Sequence, residues 1–173
     1  GGNRYPKVNE AINNAIDVGA LVMNYFGHGG EDGLASERIV TQESVKNLRN
    51  RNRYPLFVTV TCEFTRFDNP LRPTAEFTYW NKEGGAIALI STTRQIGVGL
   101  GTDFNIVLAD FLYAYNLDNF LPPAEALRRA KNQINNGNRR VIFYIGDPAM
   151  HLAFPKKEVI LTTLNDVPLA QAS

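Results

Sequence analysis

Ala20-Leu21-Val22-Met23-Asn24-Tyr25-Phe26-Gly27-His28-Gly29-Gly30 and Leu56-Phe57-Val58-Thr59-Val60-Thr61-Cys62 are two instances of one pattern. Each is a short, uncharged, largely apolar run that ends on a residue able to do chemistry. The first run is bounded by Gly19 and Gly27 and reads as a strand buried on both faces. The second brings Cys62, the only cysteine in the chain, to the matching place. A charged, helix-like stretch separates the runs, so a βαβ unit makes the two strands parallel. In open α/β sheets ligands bind beyond the carboxyl ends of the strands, which is where both His28 and Cys62 then fall.

The pattern extends in both directions. Val8, Ala11, Ile12, Ala15 and Ile16 recur on one helical face, with Pro6 to open the helix and Gly19 to close it. Thr41 is the expected cap of a helix reaching about Leu48, followed by a basic loop from Asn50 to Tyr54. A helix from about Thr74 should stop at Gly84-Gly85, and Ala86 to Ile90 is the third strand. Phe104, Val107, Leu108, Phe111, Leu112 and Tyr115 mark an amphipathic helix with Thr102 or Asp103 as its cap. Pro122-Pro123 starts another helix through Ile134, and Val141 to Ile145 is the fourth buried strand. This alternation predicts a parallel sheet covered on both faces. From Met150 the pattern changes: Met150, Leu152 and Phe154 alternate, Pro155 interrupts, and Val159 to Thr163 is strand-like again.

The 173 residues suit about one domain. Hydrophobic residues are 44% of the chain and Lys plus Arg (18) nearly balance Asp plus Glu (17), which gives no electrostatic footprint for nucleic acid. No apolar run reaches the roughly 18 residues that mark a membrane-spanning helix. One cysteine forbids an internal disulfide and leaves the redox compartment open. Gly1-Gly2-Asn3 reads as a loop rather than a natural start, so the chain is expected to begin inside a longer protein.

A cysteine attacks as its thiolate, and a nearby imidazole can hold the proton, so such a pair needs mutual reach rather than sequence adjacency. Gly29 and Gly30 allow close backbone approach, and the amides of Gly29 and Cys62 are placed to face a developing oxyanion. Structural readings compete with this one. A lone cysteine ending a buried strand is commonly a small apolar residue, and His28 between glycines serves equally as a turn histidine. An α/β interaction module without chemistry has the same pattern. A metal site of His28, Cys62 and an acid such as Asp32 lacks CxxC or HExxH spacing.

Met23 to Gly30, Thr61-Cys62 and Ile145-Gly146-Asp147-Pro148 together resemble the gingipain family of cysteine peptidases over about residues 4–155. The resemblance implies a caspase-like three-layer α/β/α fold with a mostly parallel sheet. Residues 1–155 would be the C-terminal portion of that domain and 156–173 an exit segment toward a following β-rich domain. It implies His28 as base, Cys62 as nucleophile, and Gly29 and Cys62 as donors of the oxyanion amides. Glu63, Glu76, Arg94 and Asp147 are further candidates for cleft or supporting roles. Glu76 and Asp147 have structural readings as well, a first-turn helix acid and a turn former beside the cleft. Arg94 is read as a solvated loop arginine or as a partner for an acidic group.

The strings Tyr25 to Ala35, Thr61-Cys62-Glu63-Phe64 and Asp68-Asn69-Pro70 are similar to members of the family that serve the type IX secretion system of Bacteroidetes at the cell surface. Those members remove the C-terminal sorting domain of secreted cargo and act as sortases, joining the new carboxyl end to an anionic lipopolysaccharide. The implied partners are therefore peptide substrates and other secretion components, with no nucleic acid and no membrane span. No cofactor is implied, although calcium occurs in some members and its ligands are not identifiable in this sequence. Arginine-specific members carry aromatic residues in the loop after the third strand, whereas Ser91 to Gly101 has none, so a preference for basic residues is not implied. The family sheet has more strands ahead of the histidine strand, which predicts an exposed edge there.

Overall fold

The computed structural model describes residues 4–114, 120–155, 162–164 and 167–168. Helix α1 (Pro6–Val18) has proline in its first turn and closes on Gly19, whose φ of 112° is a left-handed value that glycine adopts without cost. Strand β1 (Val22–Phe26) follows, then three two-residue strands, β2 (Gly29–Gly30), β3 (Gly33–Leu34) and β4 (Val40–Thr41). The chain continues through α2 (Gln42–Lys46), β5 (Leu56–Val60), α3 (Thr74–Tyr79), β6 (Ala88–Thr92), α4 (Val98–Leu112), α5 (Pro123–Gln133) and β7 (Ile142–Ile145).

The main sheet has the order β1-β5-β6-β7. β1 and β5 are parallel in the register Val22↔Leu56 to Phe26↔Val60, and β5 and β6 are parallel from Leu56↔Ala88 to Thr59↔Ser91. β7 is antiparallel to β6, with Thr92 opposite Ile142 and Leu89 opposite Ile145. The parallel sheet expected from the alternation thus holds for β1, β5 and β6 but not for the last strand, which leaves a mostly parallel sheet. One crossover helix carries the chain back to the start of the sheet, but α4 and α5 in succession return it to the end where β6 finished. A 3-10 turn, Gly137–Val141, then feeds straight into β7.

Side chains alternate between the two faces of the sheet. Leu56, Val58, Val60, Ala88, Ile90 and Ile142 pack against Phe104, Leu108 and Leu112 of α4 and Ala126, Leu127 and Ala130 of α5. Phe57 and Leu89, on the other face, meet Ile16 of α1, Val45 of α2, Ala75 of α3 and Phe64. Every residue of β5 and β6 is buried, and each fully buried Leu, Ile or Phe contributes about 1.5–3 kcal/mol. β1 departs from the expectation of burial on both faces. Its one partner among the described strands is β5, and Asn24 and Phe26 are exposed, Phe26 to 43%.

Several boundaries move for identifiable reasons. β6 begins at Ala88 rather than Ala86, because the preceding turn is stapled to the loop before β5 by Asn50. The Asn50 side chain donates to Arg53 O and Gly85 O and accepts from Gly85 N–H. α4 begins at Val98, a turn before the expected caps. Thr102 lies inside it, its hydroxyl donating to Val98 O, and the helix ends at Leu112; Tyr115 lies outside the described residues. α3 ends at Tyr79, short of the glycine pair. Thr41 does cap α2, its hydroxyl accepting from Ser44 N–H while Ser44 Oγ accepts from Thr41 N–H, although the helix stops at Lys46. Met150, Leu152 and Phe154 form no strand; the first two pack on the core and Phe154 stacks on Phe120. Most of the expected strand from Val159 to Thr163 lies outside the described residues, and β8 (Thr163–Leu164) pairs antiparallel with β9 (Val167–Pro168).

Candidate active site

The register of β1 on β5 decides what the site can be. Phe26 faces Val60, so His28 and Cys62 each lie two residues past the last paired position of adjacent parallel strands. Neighbouring strands run about 4.8 Å apart. Gly29 makes that proximity tighter still: a Cβ built on it would sit 2.5 Å from Thr61 Oγ1 and 3.0 Å from Thr61 Cγ2. The loop bearing the imidazole therefore rests against the residue that precedes the thiol, in contact only a glycine permits.

The histidine loop is held by its backbone. The His28 carbonyl accepts from the Tyr25 hydroxyl at 2.6 Å and from Ala35 N–H at 2.8 Å. Burial, with the Glu37 carboxylate adding to it, pushes the Tyr25 phenol above its ordinary value, in keeping with its role as a donor. Beyond His28 the glycines do not form a plain turn: β2, β3 and β4 make a small antiparallel sheet with Gly29 opposite Leu34 and Leu34 opposite Val40. The imidazole itself is exposed and has no hydrogen-bond partner among the described residues.

Cys62 is partly buried, and its Sγ lies 3.9 Å from Ile96 O, in the short loop between β6 and α4. Its backbone N–H has no partner among the described residues and is free to donate. The Thr61 carbonyl accepts from Thr92 Oγ1, while Thr61 Oγ1 is buried without a partner. Glu63, next after the cysteine, has a left-handed φ of 53°, a conformation that costs a non-glycine residue about 1–2 kcal/mol. The chain thus turns sharply at the cysteine and stores strain there.

The other expected residues divide. Glu63 and Arg94 both join a set of charged contacts across the strand-end loops. Arg66 reaches Glu31 at 3.1 Å and Glu63 at 3.7 Å, and Arg94 grips Asp68 with both terminal nitrogens, at 3.1 and 2.6 Å. The hydrogen bond from Arg94 holds the Asp68 carboxyl below its usual range. Arg94 is therefore the partner of an acidic group, the second of its two sequence readings, while staying on an exposed loop. Glu76 lies in the first turn of α3, 3.8 Å from Arg72, and lines a cavity of about 310 Å³ with Thr65, Phe67, Tyr79 and Trp80.

Asp147 is not beside the cleft. Because β7 runs antiparallel, its carboxyl end lies level with the start of β6, where a Cβ on Gly146 would meet Ala88. Asp147 forms a turn there, its carboxylate accepting from Ala149 N–H and its carbonyl from Tyr144 OH. Burial, with Asp147 nearby, raises the Tyr144 phenol to about 12. The described residues contain no group of three or more His, Cys, Asp or Glu side chains disposed to hold a metal ion, so His28, Cys62 and Asp32 do not assemble as ligands. Glu31, Arg66 and Asp68 escaped the sequence reading. Arg66 and Asp68 were signalled by the alternating charge from Glu63 to Asp68, and Glu31, like Asp68, lay inside the strings that carry the resemblance.

One cavity is lined by the histidine and a second adjoins it through Asp32 and Arg38. The first, of about 340 Å³, is lined by His28, Gly29, Gly30, Glu31, Asp32 and Arg38, and the second, of about 640 Å³, is lined by Arg4, Asn9, Asp32, Glu37, Arg38 and Glu43 among others. Among the described residues no helix is long and apolar enough to cross a membrane.

A mostly parallel sheet between two helical layers, with the histidine and cysteine on adjoining strand ends, defines a caspase-like α/β domain. The chain belongs to peptidase family C25, whose family model matches residues 1–153. In fold it is similar to the Arg-specific cysteine proteinase gingipain R (RgpB), with a TM-score of 0.71 and 19% identity, covering 88% of this chain and 37% of that one. It is similar too to the complex of Porphyromonas gingivalis RgpB pro- and mature domains, with a TM-score of 0.69, 18% identity and coverage of 88% and 38%. A third solved structure, described as a protease, matches with a TM-score of 0.69 and 18% identity over 80% of this chain and 37% of that one. The chain thus spans well under half the length of these relatives. Comparison with curated proteins gives no match.

Proposed function

We propose that this chain carries the reacting residues of a cysteine peptidase, with Cys62 as nucleophile and His28 as its base and acid. The observation that carries the reading is the register Phe26↔Val60 together with the contact of Gly29 on Thr61. Cys62 Sγ attacks the scissile carbonyl, and the amides of Gly29 and Cys62 face the oxygen as it gains charge. His28 protonates the departing amine, and water or an amine acceptor resolves the thioester. The strained turn at Glu63 supports the reading, since such outliers gather where a side chain must be aimed.

Within the family we assign the chain to the type represented by PorU, the surface peptidase of type IX secretion. It would act at the outer face of the outer membrane, on the C-terminal sorting domains of secreted cargo. The strings around His28 and Cys62 support this assignment, as does the pairing of Asp68 with Arg94, which occupies that carboxylate with a cation of this chain rather than leaving it to bind a basic substrate residue. The test incubates the full chain with a protein bearing such a sorting domain and maps the new carboxyl terminus by mass spectrometry. Cleavage lost in Cys62→Ala and His28→Ala supports the assignment. Cysteine-dependent cleavage of general peptides that spares the sorting domain retains the peptidase and rejects the PorU type.

A further inference from the structure

Three loops meet at the carboxyl end of the sheet, and one arginine touches two of them. Arg66 Nη1 lies 3.1 Å from Glu31, three residues past His28, and 3.7 Å from Glu63, the strained neighbour of Cys62. Glu31 also accepts from Asn69 through its other carboxylate oxygen. Its backbone carbonyl is bound separately, by Thr74 N–H at 2.7 Å and Thr74 Oγ1 at 2.8 Å. Arg66 Nε is 3.8 Å from Asp68, which is gripped by Arg94 of the third loop. The imidazole has no side-chain partner of its own among the described residues, so its position relative to the thiol depends on how its loop is held.

We infer that Arg66 and Glu31 are positioning residues that set the approach of His28 to Cys62, by pinning the histidine hairpin to the turn that follows the cysteine. The inference rests on the proposed peptidase reading. Partly exposed ion pairs of this kind add little to global stability, about 0–1 kcal/mol in general, so their use lies in geometry. Misplacing a reacting pair by about 1 Å costs on the order of 100-fold in rate. The backbone bonds from Thr74 remain when the Glu31 carboxylate is removed, so the hairpin stays attached and folded but is free to shift.

The test uses the full chain and measures the rate of iodoacetamide labelling at the Cys62 peptide, by mass spectrometry, from about pH 5 to pH 9. Wild type, His28→Ala, Glu31→Ala, Glu31→Gln, Arg66→Met and Arg66→Lys are compared, each with its melting temperature. Glu31→Ala and Arg66→Met should label at least about tenfold more slowly near pH 6 with melting within a few degrees of wild type. Glu31→Gln and Arg66→Lys, which keep one hydrogen bond each, should recover most of the rate. The inference is overturned if Glu31→Ala and Arg66→Met label like wild type while His28→Ala is slow. A loss of rate that follows a collapse in melting temperature also overturns it, because the role is then structural. Labelling that His28→Ala leaves unchanged overturns the peptidase reading itself, and the inference with it.

Discussion

Gly29→Ala tests the placement of the two loops most directly. The backbone at Gly29 is not in the left-handed region, so alanine meets no conformational penalty there; what it meets is Thr61. The new methyl would lie 2.5 Å from Thr61 Oγ1, 3.0 Å from Thr61 Cγ2 and 3.2 Å from Gly33 O. Ordinary contact needs about 3.5–4.0 Å, so the loop and the strand end must part by about 1 Å. Thr61 cannot yield easily, being buried to 1% exposure with its carbonyl accepting from Thr92. Overpacking of this kind costs about 1–3 kcal/mol in stability. A displacement of that size between His28 and Cys62, the proposed base and nucleophile, would cost on the order of 100-fold in turnover. Urea denaturation and peptide turnover measure the two effects, and a double-mutant cycle with Thr61→Ala assigns the cause. Thr61→Ala removes the two closest clashing atoms, one of them a hydroxyl that is buried without a partner, and leaves only the contact with Gly33 O, so it should restore most of the lost activity in the double mutant. Full activity in Gly29→Ala, or a loss that Thr61→Ala leaves untouched, would refute the claim that these loops are in contact through that glycine.

Asn50→Ala removes the side chain that joins the turns before β5 and β6 and leaves Gly85 N–H and O buried without partners, so a loss of about 3 kcal/mol is expected in urea denaturation. Asp147→Ala should leave peptide turnover unchanged, because the residue sits at the far end of the sheet from Cys62; the loss of its bond to Ala149 N–H should cost at most about 1 kcal/mol. Glu125 is held at about 2, against an ordinary 4.5, by hydrogen bonds from Arg128 and Arg129. A depressed carboxyl stabilises the fold above its unfolded value and loses that contribution as pH falls through the folded one, so Glu125→Gln should flatten the fall in melting temperature between about pH 4.5 and pH 2. Added salt should shrink the difference, since the ion pairs are exposed.

Local pattern carried much of this protein. A short, uncharged, largely apolar run such as Leu56 to Val60, bounded by Pro55 and rich in β-branched residues, is the pattern of a strand buried on both faces, so β5 and the residue at its end were legible without a structure. The same holds for Pro6 and Gly19 at the ends of α1 and for Thr41 at the start of α2, where one residue type satisfies a particular backbone need. The linking of β1 to β5 by a single crossover allowed His28 and Cys62 to be placed together before any coordinates. What the pattern lacked was direction and pairing between distant segments. Whether β7 runs with or against β6 depends on two helices packing on one another, and the reversal sends Asp147 to the wrong end of the sheet for chemistry. That Arg66 meets Glu31, and Arg94 meets Asp68, depends on three loops converging at one end of the sheet, because a charge in sequence carries no record of its partner. Periodicity is a property of neighbours along the chain; the site is a property of neighbours across it, and only the tertiary structure brings those together.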